Sequence, residues 1–288
     1  MPSLRDILHF YADSGVDEAL QEQPVDRFAA TAIAARRPPA APAPSPSPEP
    51  GAARRGDTEA TAPASRPSNR TDASRNEPRL SVPDEAQALR ARELARQAAT
   101  LAELRDLLAG FDGCNLKSTA KTLVFADGNP NAGVMFVGEA PGRDEDLEGL
   151  PFVGRSGRLL DRMLAAIGLT RDSAYIANVI PWRPPGNRTP TPLETEICRP
   201  FIERQIELAN PKVLITLGGP SAKVLLHAQE GILKFRGKWR THETAGGLAV
   251  PAMPTLHPAY LLRNPAHKRL AWRDFLEIKA KLRDLDAG

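Results

Sequence analysis

Four short stretches of the chain pair a polar side chain with the backbone freedom a binding loop needs. Gly138-Glu139-Ala140-Pro141-Gly142 sets a carboxylate between two glycines, Tyr175-Ile176-Ala177-Asn178 ends on a carboxamide, Leu217-Gly218-Gly219 exposes backbone, and His257-Pro258 offers an imidazole. A carboxamide presents a donor beside an acceptor and can read the edge of a planar polar ligand, while an imidazole and a carboxylate can carry protons or stabilise developing charge. Each residue alone has a duller explanation. A histidine before proline serves many turns, Asn178 suits an Asx turn, and Gly138 and Gly142 can serve backbone geometry only.

Their placement relative to apolar runs makes the set informative. Val134 to Val137, Tyr175 to Ile180, Val213 to Leu217 and Leu248 to Leu256 alternate with helical segments, a pattern that predicts a parallel sheet covered by helices. Pro251 and Pro254 predict that the fourth run is irregular or an edge, because proline cannot donate to a ladder. Beyond the first run, Leu159, Leu160, Met163, Leu164 and Ile167 recur at helical spacing from Ser156 to Ile167, so this unit reads strand, loop, helix. In such sheets ligands are met beyond the carboxyl ends of the strands, which is where Glu139, Asn178, Gly218-Gly219 and His257 fall.

The whole chain has 288 residues, a formal net charge of +3, 28 prolines and two cysteines, Cys114 and Cys198. The charge permits an anionic partner without demanding one. Residues 1–34 are expected to contain a short amphipathic helix, with Leu4, Ile7, Leu8 and Tyr11 on one face, that packs on its own domain or hooks a partner protein. Residues 35–83 are rich in Ala, Pro, Ser and Arg with almost no large apolar side chain, so they are expected to be a disordered linker. The folded domain is expected over 84–288, opening with a helical stretch from Asp84 to Leu108 and closing with one from about Lys268 to Leu285. No apolar run approaches the roughly 18 residues of a membrane span, and the N-terminus lacks a signal-peptide core. The expectation is a soluble cytoplasmic monomer with reduced thiols.

Taken together, Gly138-Glu139-Ala140-Pro141-Gly142, Pro151-Phe152-Val153-Gly154, Tyr175-Ile176-Ala177-Asn178, Arg183-Pro184-Pro185-Gly186-Asn187-Arg188, Leu217-Gly218 and His257-Pro258-Ala259-Tyr260-Leu261-Leu262-Arg263 follow the order and spacing of family 4 uracil-DNA glycosylases. The chain resembles that family from about Leu107 onward. The resemblance implies a three-layer α/β/α fold with a central four-stranded parallel sheet, and removal of uracil from single- or double-stranded DNA by cleavage of its bond to deoxyribose.

It also implies roles. An enzyme that works on a base must extrude it and hold it in a closed pocket. Phe152 is expected to stack on uracil, a contact worth about 1–3 kcal/mol by analogy with other base and aromatic pairs, and Asn178 to read the edge with O4 and N3–H. Ala140 is expected at the uracil, where family 1 enzymes carry an aspartate. His257 would donate to O2 of the departing base, where negative charge develops. Glu139 would position water or stabilise positive charge on the sugar, and Glu145 would stand near C5, excluding the methyl group of thymine. Leu261 and Leu262 are expected to wedge into the space left by the flipped base, with Arg263, Arg188 and Arg183 meeting phosphates.

The pattern breaks at one feature. Family 4 members usually hold a four-iron, four-sulfur cluster on four cysteines. Cys114 and Cys198 match two of those positions, but Phe111 and Trp182 replace the other two, so no cofactor and no metal is expected. Two rival readings remain. One is a uracil-DNA or abasic-site binding protein with little turnover, although the loop Trp182 to Pro192 lacks the histidine of relatives that bond covalently to DNA. The other, a nucleotide hydrolase, lacks the Gly-Lys-Ser/Thr end of a phosphate loop.

Overall fold

The computed structural model describes residues 85–287. The amphipathic helix expected within 1–34 and the linker expected over 35–83 lie outside those residues. In chain order the helices are α1 (Glu85–Gln97), α2 (Leu101–Gly110), α3 (Leu116–Thr119), α4 (Arg143–Glu148), α5 (Arg155–Ala166), α6 (Pro192–Ala209), α7 (Gly219–Leu226), α8 (Ile232–Phe235), α9 (Pro258–Arg263) and α10 (Lys268–Ala287). The strands are β1 (Ala126–Gly128), β2 (Val134–Gly138), β3 (Tyr175–Asn178), β4 (Val213–Leu217), β5 (Arg240–Glu243) and β6 (Ala249–Thr255). They form one mixed sheet in the order β1-β3-β2-β4-β6-β5.

The four expected strands are its parallel centre, with Gly138 level with Asn178, and Leu217 with Thr255. Two short antiparallel strands, β1 beside β3 and β5 beside β6, extend it at either edge. Neither stands out in the sequence, because Ala126-Asp127-Gly128 and Arg240-Thr241-His242-Glu243 carry no apolar run.

Alternation along the central strands sends side chains to two cores. Met135, Val137, Tyr175, Ala177, Leu214 and Ala252 pack with α1, α2 and α6 on one face. Val134, Phe136, Ile176, Val213, Ile215 and Met253 pack with α5 and α10 on the other. Both faces are therefore covered, as parallel sheets require, and the domain has three α/β/α layers. Burial of each large side chain contributes roughly 1.5–3 kcal/mol.

Several expected boundaries shift for local reasons. The single stretch from Asp84 to Leu108 is two helices, because Thr100 starts a new one. Its hydroxyl caps the helix by accepting from the Glu103 N–H at 3.2 Å, and the Glu103 carboxylate accepts from the N–H of Ala99, the residue before the cap, at 2.7 Å. β6 is an inner strand, not an edge, despite Pro251 and Pro254. Pro251 precedes the pairing with β4, which begins at Ala252, and Pro254 lies past the pairing with β5, which ends at Ala252. Neither proline interrupts a ladder that would need its N–H.

The end of β6 is tied to α10. Thr255 donates its hydroxyl to Asp274 at 2.6 Å, and the guanidinium of Arg236 donates to the same carboxylate at 2.8 Å. Among the described residues no helix is long and apolar enough to cross a membrane.

Candidate active site

The carboxyl ends of the parallel strands open into a cavity of about 550 Å³, lined by Glu139, Phe152, Asn178, Gly218 and His257 among others. That volume is within the range usual for small-molecule sites. The structure thus brings together the residues that the sequence set at four separate strand ends. Ala140, Glu145, Arg188 and Arg263 also border the cavity.

Gly138 decides how closely the walls can meet. A Cβ there would lie 2.4 Å from Oδ1 of Asn178 and 2.7 Å from the ring of Phe152, so any side chain would push the carboxamide and the ring apart. Asn178 is buried, and its Oδ1 has no hydrogen-bond partner among the described residues. An acceptor left bare inside a fold costs about 1–3 kcal/mol, which an N–H supplied by a ligand would recover.

His257 is both the last residue before α9 and its cap. Nδ1 accepts from the Ala259 N–H at 3.0 Å, so the neutral ring carries its proton on Nε2. Burial, helped by the positive charge of Arg263, holds its pKa down at about 4. At neutral pH the ring is an uncharged donor. The Phe152 ring faces it, with centroids 5.5 Å apart at 30°. Glu139 also borders a second cavity of about 370 Å³ beside the first, and burial raises its carboxyl above the usual range.

The loop between β2 and α5 is not the solvated acidic loop its composition suggests. Glu145 is buried and its carboxylate accepts from the N–H groups of Gly142, Val153 and Gly154, each at 3.1 Å. Asp146 accepts from the Lys121 and Thr122 N–H groups at 2.8 and 3.2 Å. The acidic run therefore folds into α4 and fastens both ends of the loop. Glu145 borders the cavity chiefly as the clamp of its wall.

One expected DNA contact needs correction. Leu261 is buried against Leu256 and Ala271, so it belongs to the core, while Leu262 is exposed. On a helix, neighbours in sequence point to different faces, and only one of a Leu-Leu pair can face outward. Arg188 forms a fork on Glu194, with contacts of 2.8 and 2.6 Å. Burial alone would raise the Glu194 carboxyl, but Arg188 and the Thr191 N–H hold it below the usual range. Arg188 is thus engaged at the start of α6. Arg183 donates to Asn187 at 2.7 Å, whereas Arg263 is exposed and has no ion-pair partner among the described residues.

On the other core face, Sγ of Cys198 lies 3.8 Å from Sγ of Cys114, and both thiols are free and buried. The hydrogen bond between them lowers the Cys114 thiol and, with burial, pushes the Cys198 thiol well up. Phe111 and Trp182 belong to the same apolar cluster and are among its largest fully buried side chains. Phe111 also meets Phe201, with ring centroids 5.3 Å apart. A cubane iron-sulfur cluster needs four thiolates, and the residues here offer two thiols and two hydrocarbon rings. The donor set does not fit that group.

Sequence reasoning missed Arg171, whose guanidinium donates to the backbone that carries Phe152. No spacing links the two residues. The signal is conformational: Phe152 has φ +56°, which a bulky residue holds only under constraint.

The model of the uracil DNA glycosylase superfamily matches residues 125–276. Over 174 residues the chain is 41% identical to the type-4 uracil-DNA glycosylase of Saccharolobus solfataricus, an overlap of 59% of this chain and 80% of that protein. It is 42% identical over 170 residues to the type-4 uracil-DNA glycosylase of Archaeoglobus fulgidus, covering 57% of this chain and 84% of the relative. For the enzyme of that name from Thermotoga maritima the identity is 40% over 170 residues, with 58% and 86% covered.

Proposed function

We propose that this chain, which belongs to the uracil DNA glycosylase superfamily, flips uracil out of DNA and hydrolyses its N-glycosidic bond, leaving an abasic site. The observation that carries the reading is the bare Oδ1 of Asn178 in a cavity that also holds a neutral histidine. Uracil offers N3–H beside O4, which complements an acceptor and a donor on one carboxamide, whereas cytosine offers the reverse pattern.

Cleavage sends the bonding electron pair to the base, so charge grows on the departing uracil and positive charge grows on the sugar. The Nε2–H of His257 donates to O2 of the leaving base without losing its proton, and it acts most strongly where that charge is greatest. The Glu139 carboxylate faces the sugar, steadies the positive charge, and takes the proton of the water whose oxygen bonds to C1′. Phe152 stacks on the flipped ring, Ala140 and Glu145 shape the wall near it, Leu262 fills the gap in the stack, and Arg263 meets a flanking phosphate. DNA is the partner, and none of these roles calls on a metal.

We also propose that the protein carries no iron-sulfur cluster, because Phe111 and Trp182 supply no donor atoms to the volume beside the two thiols. Purified protein is expected to be iron-free and colourless. Stoichiometric iron with cluster absorbance would overturn this.

The function is tested with an oligonucleotide holding one deoxyuridine, followed by alkaline cleavage of abasic sites. The wild type should excise uracil over repeated turnovers, and Asn178→Asp should lose roughly 1–3 kcal/mol of its preference for uracil over cytosine. A single sub-stoichiometric burst would indicate a binder with little turnover. Unchanged preference in the variant would remove Asn178 from base reading.

A further inference from the structure

We infer that Arg171 is a positioning residue for excision: it does not touch the base, but it sets the ring of Phe152 at the angle from which that ring stacks. The inference rests on the reading of Phe152 as the stacking platform. Arg171 opens the turn before β3 and does not line the cavity. Its guanidinium nevertheless reaches the loop on the other side of β2's end, where it donates to the carbonyls of Pro151, at 3.1 Å, and of Phe152.

Two carboxylates hold the guanidinium in place. Nη1 pairs with Asp127 of β1, and Nε donates to Asp161 of α5 at 2.8 Å. One planar fork thus joins an edge strand, a helix and the loop, with its donors directed at two carbonyls and two carboxylates. A lysine could not reproduce this, because an ammonium lacks the fixed fan of five donors.

The conformation under this clamp explains why it is needed. Phe152 sits in the left-handed region at φ +56°, a placement that strains a bulky residue and persists only when its surroundings over-determine it. Gly157 makes room on the far side, since a Cβ there would lie 1.6 Å from the Phe152 carbonyl oxygen. With the carbonyl seated between Gly157 and Arg171, the ring is turned to the opposite side, against Gly138 and towards His257. Released from the clamp, residue 152 can relax to negative φ, which swings the ring away from the cavity.

The experiment is a double-mutant cycle on single-turnover excision, with enzyme in excess over a single-stranded deoxyuridine oligonucleotide. It uses Phe152→Ala, Arg171→Ala and the double variant of the full chain. Arg171→Ala is expected to slow excision on the order of 100-fold, the cost of a small misplacement of a reacting partner. Affinity for a uracil-free oligonucleotide of the same sequence should be unchanged. In the Phe152→Ala background the same substitution should cost less than about 3-fold, because a residue that acts only through the ring has nothing left to act on.

Arg171→Lys should regain the melting temperature of the wild type more than its rate. If Arg171→Ala does not fold, Asp161→Asn, at a half-exposed position, loosens the same fork, and its loss should vanish in the same background. Equal losses in both backgrounds, or no loss in either, would overturn the role of Arg171 alone. A Phe152→Ala enzyme that excises at the wild-type rate would overturn the platform reading and Arg171 with it.

Discussion

Asn178 and Trp182 leave the same strand within one loop, yet the chain treats the spaces around them in opposite ways. Around Asn178 the structure keeps a cavity and leaves polar groups unmet: a carboxamide oxygen without a partner, a histidine held neutral and a carboxyl raised by burial. Around Trp182 the core is built of two fully buried aromatic side chains and two thiols that bond each other. Unmet hydrogen bonds beside open volume mark where a ligand belongs, and satisfied groups in filled volume mark where packing has taken its place.

The comparison breaks most easily at the filled side. Trp182→Ala should lower unfolding free energy by about 3–5 kcal/mol, the cost of a large aromatic cavity in a core, read as a fall in the urea midpoint at constant slope. A much smaller loss would mean that the space beside the thiols is loosely filled. At the open side, His257→Ala should slow single-turnover excision by about 10²–10³-fold, the range for one lost donor to a developing anion. Melting should change far less than in Trp182→Ala. Full excision by this variant would move the chemistry to another residue.

The smallest effect expected is in pH. With a pKa near 4 against an ordinary 6.5, His257 takes up a proton more readily in the unfolded chain. Its contribution to stability is therefore complete above about pH 6.5 and drains away as pH falls towards 4. Glu139 has the opposite sign. Its pKa is raised by burial, so its charged form disfavours the fold, and Glu139→Gln should raise the melting temperature at neutral pH, a gain that fades as pH falls through the carboxyl's raised pKa. The acid limb of excision should follow Glu139, lying above the usual carboxylate range, and should flatten in Glu139→Gln. An unchanged limb in that variant would assign it elsewhere.

What could be read before the structure follows from what periodicity reports. The four central strands and α5 are apolar at regular spacing, so the sheet and the rim were legible, and with them Glu139, Asn178 and His257. The edge strands β1 and β5 are short and polar, and α4 is built from an acidic run that looks solvated until Glu145 and Asp146 are seen to cap backbone N–H groups. Leu261 and Leu262 are equivalent in sequence and opposite in burial, because only the docking of α9 on α5 and α10 decides which one faces in. Arg188 and Arg171 are both arginines beside motif residues. Their roles depend on Glu194, Asp127 and Asp161, which no periodic spacing links to them.

The bond from Thr255 to Asp274 has a consequence for how the domain comes apart. It joins the residue just before Leu256-His257 to the middle of the last helix, and Arg236 closes the same carboxylate from a third segment. Fraying of the C-terminal end of α10 leaves this joint in place, although Ile278 and Phe275 are buried in the core on the way to it. Past Asp274 it removes the acceptor that both partners share. The amides of β6 and those of the inner half of α10 are then expected to exchange as one cooperative unit, and because Phe275 and Ile278 of α10 are buried in the core beside the sheet, trimming from the tail should cost stability before it reaches Asp274.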